Sequence, residues 1–348
     1  MVVLIVLFLA IGVFGGRAAD LGNYSDAAKY YHHTAEVLIA KGKQAEAGAI
    51  YMELGEEDQI HGLFSTAEVD FKQGLDLLKR YAQPNDLRLV TAMDDLGWLY
   101  ITWGKAIEGS RLMNLAWTRA VGADPNDPLL IRHLDSQAAY KMIKGRYSEA
   151  QTDWNRALEI GKLNFGPNNP KYDNIFLHFG QAGVLYGDYD VAAQMLRRFL
   201  EIEHRASNKW NTSQAVAAAE LGNVYVHLHK LFDARAWLDQ AAGVFENNPD
   251  DVPLIHSLVL SYFGDYYMAQ EDWNNAQLKY RQALNLQRSV LGENKAVAAS
   301  MISLSKALAK LHMKDEAKNL VVRAKAIIAA QSDPLQKQTV DVLALQHQ

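Results

Sequence analysis

The sequence predicts an all-α fold in which antiparallel helix pairs stack into a solenoid. The main observation is a spaced triplet, in which a small residue is followed four positions later by a bulky residue and seven positions later, in most copies, by another small one. Eight copies recur 40 to 42 residues apart. They begin at Ala27, Ala67, Gly109, Ala150, Ala192, Ala234, Ala276 and Ala317. Apolar residues at three- and four-residue spacing also run through both segments of each unit, which is typical of helices.

A second mark lies twelve positions before most triplets and consists of a bulky residue followed by glycine. Its glycines are Gly55, Gly97, Gly180, Gly222 and Gly264. An aromatic residue follows three positions later at Tyr100, Tyr225 and Tyr267. Small residues let two helices approach closely, and a bulky side chain of the neighbour fills the space. Each isolated pair would expose an apolar face, so the pairs are expected to stack.

These marks resemble the tetratricopeptide repeat, with Leu-Gly-x-x-Tyr at Leu96–Tyr100 and Ala-x-x-x-aromatic-x-x-Ala at Ala150–Ala157. The period of about 42 residues exceeds the usual 34 and is similar to that of the kinesin-light-chain subtype. The connectors Leu163–Pro170 and Val290–Asn294 are similar to those of that subtype. The resemblance covers residues 22–330. It implies a right-handed superhelical solenoid of about seven complete helix pairs after a leading half-repeat.

The two ends of the chain carry different signals. Val2–Phe14 is a nearly unbroken apolar run followed by small residues, which predicts a signal peptide or an uncleaved anchor over residues 1–19. Export to the periplasm or outside the cell follows from that prediction. The alternative is a first repeat helix, and with it a cytoplasmic protein. Ser332-Asp333-Pro334 marks the start of a last helix, and residues 331–348 are predicted to cap the array.

Composition and motifs argue against most chemistry. The absence of cysteine excludes disulfides, thiolate metal sites and a cysteine nucleophile. With a net charge of −5 and scattered Lys and Arg, the chain lacks an electrostatic footprint for nucleic acid. Neither His32-His33 nor His227-x-His229 places two imidazoles on one helix face. Because no phosphate-binding glycine motif or Gly-x-Ser-x-Gly occurs either, we expect no cofactor, no metal and no catalytic residue.

The resemblance implies that the first helix of each pair lines a concave groove that binds a protein or peptide. The groove residues carried over from the family are Asp94, Trp98, Arg132, Asp135, Asn174, Gln181, Asn223, His227 and Asp265. The mapped faces lean acidic, which favours a neutral or basic ligand. The alternative for each residue is an ordinary solvent-facing or packing role.

We therefore expect a non-catalytic interaction scaffold that touches membrane only through its N-terminal apolar segment. One alternative is a cytosolic adaptor for signalling or assembly. Another is an enzyme with its site on the solenoid wall, which would need titratable groups that converge in one pocket.

Overall fold

The structure, a computed structural model, describes residues 24–60, 63–103, 105–206, 210–245 and 253–330. The predicted signal peptide at 1–19 and the predicted capping helix at 331–348 lie outside these residues. The described chain forms fifteen α-helices and one short 3-10 helix, without a strand, so the all-α prediction is confirmed. None of the described helices is both long and apolar enough to cross a membrane.

The chain divides into two compact units, with the boundary after His178. The first unit contains α1 (Tyr24–Ala40), α2 (Gln44–Ile60), α3 (Phe64–Tyr81), α4 (Arg88–Thr102), α5 (Ala106–Ala120), α6 (Leu130–Ile143), α7 (Tyr147–Phe165), the 3-10 turn Pro170–Tyr172 and the start of α8 (Asn174–Tyr186). The second unit contains the rest of α8, α9 (Tyr189–Ala206), α10 (Thr212–His227), α11 (Leu231–Gly243), α12 (Pro253–Ala269), α13 (Trp273–Leu291), α14 (Lys295–Lys310) and α15 (Lys314–Ala330).

Each even-numbered helix packs against the helix that follows it, as in the contacts of α2 with α3 and of α12 with α13. We call the first helix of each pair the A helix and the second the B helix. Successive A helices also contact each other, α4 with α6 in the first unit and α10 with α12 in the second. Helix α1 packs on α2. The A helices therefore have neighbours on more sides than the B helices.

Burial separates the two kinds of helix. Every residue of the A helix α10 from Gln214 to Val226 is buried. Its partner α11 buries only Ala234, Leu238 and Ala241. A helix that is apolar or small on all sides belongs in the interior, and one with a single apolar stripe belongs at the surface. The A helices thus form the inner layer of each unit.

The glycines of the A helices mark the crossing with the B helix. A methyl group built on Gly264 would lie 2.4 Å from the ring of Tyr280, which covers that position. The same arrangement, with one bulky side chain of the B helix over one glycine of the A helix, recurs along the chain. The covered pairs are Gly55 with Phe71, Gly97 with Met113, Gly180 with Leu196, Gly222 with Leu238 and Gly264 with Tyr280. The bulky residue is each time the second member of the spaced triplet, as the sequence predicts.

Several helix starts are fixed by side chains. At the start of α10 the Asn211 side chain accepts a bond from the Gln214 backbone N–H, and the Gln214 side chain accepts one from the Asn211 N–H, both at 2.9 Å. This capping box satisfies two backbone donors that a helix start would otherwise leave without partners. Asn294 and Asp272 cap α14 and α13 through one such bond each.

Candidate functional site on the A helices

A line of polar side chains crosses the A helices of the second unit. The Gln181 side chain on α8 donates a hydrogen bond of 3.3 Å to Glu220 on α10, and both residues are buried. Asn223 follows Glu220 by one helical turn and is buried as well. Burial raises the pKa of Glu220 to about 8, although the bond from Gln181 acts in the opposite direction. The Glu220 carboxyl is therefore mainly protonated at neutral pH.

The line continues on the next A helix, α12. Asp265 accepts a hydrogen bond of 2.5 Å from the Tyr280 hydroxyl. Burial raises the pKa of Asp265 to about 6, and the bond from Tyr280 and the charge of Lys306 oppose this rise. Burial also raises the pKa of Tyr262 well above its ordinary value, with further contributions from the charges of Glu220 and Asp265. We call Gln181, Glu220, Asn223 and Asp265 the acceptor line.

Three oxygens of the acceptor line have no hydrogen-bond partner within the described part of the chain. They are Oε1 of Gln181, Oε2 of Glu220 and Oδ1 of Asn223. A buried polar atom without a partner costs about 1–3 kcal/mol. Amide and ionised carboxylate oxygens accept hydrogen bonds and do not donate them. The amide oxygens of Gln181 and Asn223 therefore suit hydrogen-bond donors, and Oε2 of Glu220 accepts such a bond once its carboxyl is ionised.

In the first unit a partly buried ionic cluster joins three A helices, and its side chains of Arg132, Glu56 and Asp95 are 36%, 14% and 2% exposed. Arg132 on α6 donates through Nη2 to Asp95 on α4 at 2.9 Å and also reaches Glu56 on α2. Burial raises the pKa of Asp95, and the positive charge of Arg132 counteracts this rise. Removal of Arg132 would leave the buried Asp95 carboxyl without its counter-charge, which is energetically costly. Arg132 is thus engaged within the protein.

Two buried histidine–aspartate pairs hold neighbouring A helices together. His133 Nδ1 lies 2.6 Å from Asp94, and His178 Nδ1 lies 2.6 Å from Asp135. Trp154 Nε1 also donates to Asp135 at 2.7 Å. Neither pair was predicted from the sequence, where only His32-His33 and His227-x-His229 were considered, although each pair joins an aspartate to a histidine about one repeat later. No group of three or more potential ligands in the described ranges is arranged to hold a metal ion.

The structure places the predicted groove residues in different surroundings. Asp94 and Trp98 have exposed fractions of 0% and 1%, and Gln181 and Asn223 of 5% each, so all four side chains lie within the packing. Asn174 is half-buried at the start of α8. His227 is exposed at the end of α10, with its ring stacked on Tyr189 at 4.5 Å between centroids. That these side chains bind a partner stays a prediction.

Three of the predicted residues, Gln181, Asn223 and Asp265, belong to the acceptor line. Glu220, which was not predicted from the sequence, lies between them. It precedes the repeat glycine Gly222 by two positions, and its apolar surroundings on α10 were the available signal. Arg132 lies in the ionic cluster of the first unit instead, and Asp94 and Asp135 lie in its histidine–aspartate pairs.

Comparison with known proteins supports a repeat architecture. No protein-family model matches the chain. The protein KINESIN LIGHT CHAIN-RELATED 2 of Arabidopsis thaliana is 18% identical over 304 residues, which cover 84% of this chain and 45% of that protein. The chain thus spans less than half the length of this relative.

Solved structures show the same fold at low sequence identity. The Rap protein complexed with Competence and Sporulation Factor has a TM-score of 0.65 at 11% identity, and the match covers 82% of this chain and 77% of that one. BtubC (BKLC) from P. vanneervenii has a TM-score of 0.51 at 17% identity, with 65% and 91% covered. The Cut9–Hcn1 assembly of the APC/C has a TM-score of 0.54 at 16% identity, with 90% and 55% covered.

The protein is a helical repeat protein with a tetratricopeptide-like solenoid fold. Within that class, the resemblance to kinesin light chains that the sequence predicted is confirmed.

Proposed function

We propose that the protein is a non-catalytic scaffold that binds a peptide segment of a partner protein along the A helices of its second unit. The observation that supports this proposal is the acceptor line, where three buried oxygens from two successive A helices lack a donor within the described chain. A peptide supplies backbone N–H donors at regular intervals, and each bond made to such an oxygen offsets part of its desolvation. Because these oxygens are buried, a bound peptide must displace the side chains that cover them.

The chemistry of the line favours a basic peptide. Glu220 and Asp265 both belong to it, and burial disfavours their ionised forms. A lysine or arginine side chain placed beside Glu220 would stabilise its carboxylate and so displace the proton. Binding of a basic peptide is therefore expected to strengthen as the pH rises towards 8.

The similar structures support a binding role as well. One of them is a Rap protein complexed with Competence and Sporulation Factor, and another is a hetero-tetramer of Cut9 and Hcn1. Both are complexes with a second molecule, which is consistent with a scaffold and favours no particular partner.

A displayed library of random peptides, panned on the purified chain, tests the proposal. We expect enrichment of peptides rich in lysine or arginine. Binding of one enriched peptide should weaken about tenfold in Asn223→Ala and in Glu220→Gln, which corresponds to about 1.4 kcal/mol. Isothermal titration calorimetry at pH 7 and pH 8 measures both the affinity and its change with pH.

Gln194→Ala provides the control for these variants, because Gln194 is an exposed residue on the B helix α9. Its affinity should equal that of the unaltered chain, and melting curves establish that all the variants are folded. Two results would show that the acceptor line is not the site. One is that Gln194→Ala weakens peptide binding as much as the other variants do. The other is that the enriched peptides bind Asn223→Ala and Glu220→Gln as tightly as they bind the unaltered chain.

We also propose that the protein is exported. The apolar run Val2–Phe14 with small residues after it supports this proposal. N-terminal sequencing of the protein recovered from an extracytoplasmic fraction of native cells is expected to show a chain that begins after the predicted leader at residues 1–19. Intact protein that begins at Met1 in the cytosol would instead support the cytosolic adaptor.

A further inference from the structure

A trough on the outside of the first unit lies between two successive B helices, α3 and α5. Its floor is formed by Leu96 and Tyr100 of the A helix α4, with Leu75 of α3 and Leu112 of α5 on the sides. The cavity measures about 580 Å³. That size is within the range of about 300–1,000 Å³ at which pockets hold a ligand or a side-chain cluster of a partner. This surface is distinct from the acceptor line, which lies in the second unit.

The trough has an apolar edge that is exposed to solvent. Ile107 lines it and is 71% exposed. Val69, one turn before the lining residue Lys72 on α3, and Leu115, one turn after Arg111 on α5, are 61% and 49% exposed. These residues extend the two helix faces beyond the trough at both ends. Exposed aliphatic side chains that border an apolar groove mark a surface suited to a partner.

The charges around the trough are unbalanced. Lys72 and Asp76 are neutralised on their own helix by Glu68 and Arg80, at 2.8 and 2.9 Å. Lys79, Arg111 and Glu108 also line the trough, and none of the three forms an ion pair with another described residue. Two unpaired cations therefore face one unpaired carboxylate on a chain whose net charge is −5.

We propose that the α3–α5 trough binds an amphipathic helix of a partner protein that carries acidic residues beside an apolar stripe. Two parallel B helices with an apolar floor offer a third helix the ridge-and-groove packing that already joins the helices of the solenoid. Lys72 to Lys79 span about 10 Å along α3, which is two turns of a bound helix. Lys79 on one wall and Arg111 on the other are placed to pair with carboxylates on either side of that stripe.

Two designed peptides of about 18 residues, long enough to form a helix, test this proposal. Both carry leucine at alternating three- and four-residue spacing, and their polar positions are glutamate in one and lysine in the other. Fluorescence anisotropy of the labelled peptides with the full chain measures binding. We expect the glutamate peptide to bind more tightly than the lysine peptide, and we expect added salt to weaken it.

The double variant Lys79→Glu with Arg111→Glu is expected to bind the glutamate peptide about tenfold more weakly and to prefer the lysine peptide. Ile107→Ala should lower the affinity for both peptides. The control is Lys318→Glu with Lys325→Glu, which changes the charge equally on the exposed face of the B helix α15 in the other unit. That control should leave both affinities unchanged. All the altered side chains are exposed, so the fold is expected to persist, and melting curves check it.

Three results would overturn the proposal. One is an equal affinity of the unaltered chain for the two peptides. Another is an equal weakening of the glutamate peptide in the α15 control. The last is that the unaltered chain forms a dimer in sedimentation experiments and that the double variant Lys79→Glu with Arg111→Glu is a monomer. A second copy of the chain would then occupy the trough.

Discussion

Glu220→Gln is expected to raise the free energy of unfolding by about 3–5 kcal/mol at pH 9 and by less than about 1 kcal/mol at pH 5, since each pKa unit corresponds to about 1.4 kcal/mol. The carboxyl is buried on α10, and burial raises its pKa from 4.5 to about 8. Glutamine resembles the protonated acid in shape and carries no charge at any pH.

The sign follows from proton binding. The folded state holds the Glu220 proton more tightly than the unfolded state, so this residue contributes its full stability below about pH 4. That contribution is lost as the pH rises from the unfolded value through about 8, because the folded state must then bury a carboxylate. Glutamine at this position removes the loss of stability at high pH. It leaves the free energy of unfolding at acidic pH nearly unchanged.

Urea denaturation followed by circular dichroism at several pH values measures the difference between the two chains. Glu36→Gln supplies the control, since Glu36 is exposed on α1. Its profile should run parallel to that of the unaltered chain. If Glu220→Gln raised the free energy of unfolding equally at pH 5 and pH 9, the Glu220 carboxylate would not be buried at high pH. The interpretation of the acceptor line would then be wrong.

The sequence predicted the parts of the fold that repeat. A glycine on one helix and a bulky residue sixteen positions later recur at a fixed period, as with Gly222 and Leu238. Their contact depends only on two adjacent helices and a short turn. Such a local packing contact can be predicted from one sequence, because each copy of the repeat supports the interpretation of the others.

The candidate site was harder to predict, because its contacts join A helices that are one repeat apart. Asp94 reaches His133 and Glu220 reaches Gln181 only because neighbouring A helices lie at a particular height relative to each other. Helical periodicity indicates which face of a helix is apolar, but it does not indicate how far two neighbouring helices are shifted along their axes. Trp98 shows the same limit, because the sequence pattern does not indicate that its side chain is buried.

Gly109→Ala is expected to lower the free energy of unfolding by about 2 kcal/mol, although alanine favours a helix by nearly 1 kcal/mol. Other copies of the spaced triplet begin with alanine, and the structure explains the exception. A methyl group on Gly109 would lie 2.6 Å from the carbonyl oxygen of Gly97 and 2.6 Å from Cγ1 of Ile101. The Ile101 backbone nitrogen is 3.0 Å from the same point. Since two of these three atoms are backbone, α4 and α5 must separate to admit it.

Gly243→Ala is the matched control, because Gly243 is also helical and a methyl group there would have no other atom within 4 Å. Because nothing clashes there, the free energy of unfolding should at most rise, by less than about 1 kcal/mol, through the helix preference of alanine. Thermal unfolding of both variants beside the unaltered chain measures the effects. Gly109→Ala as stable as Gly243→Ala would mean that α4 and α5 do not meet as closely as their glycines imply. In that event, small residues at the crossings would not explain how successive pairs stack, because this crossing has the closest backbone approach among the glycines that carry the pattern.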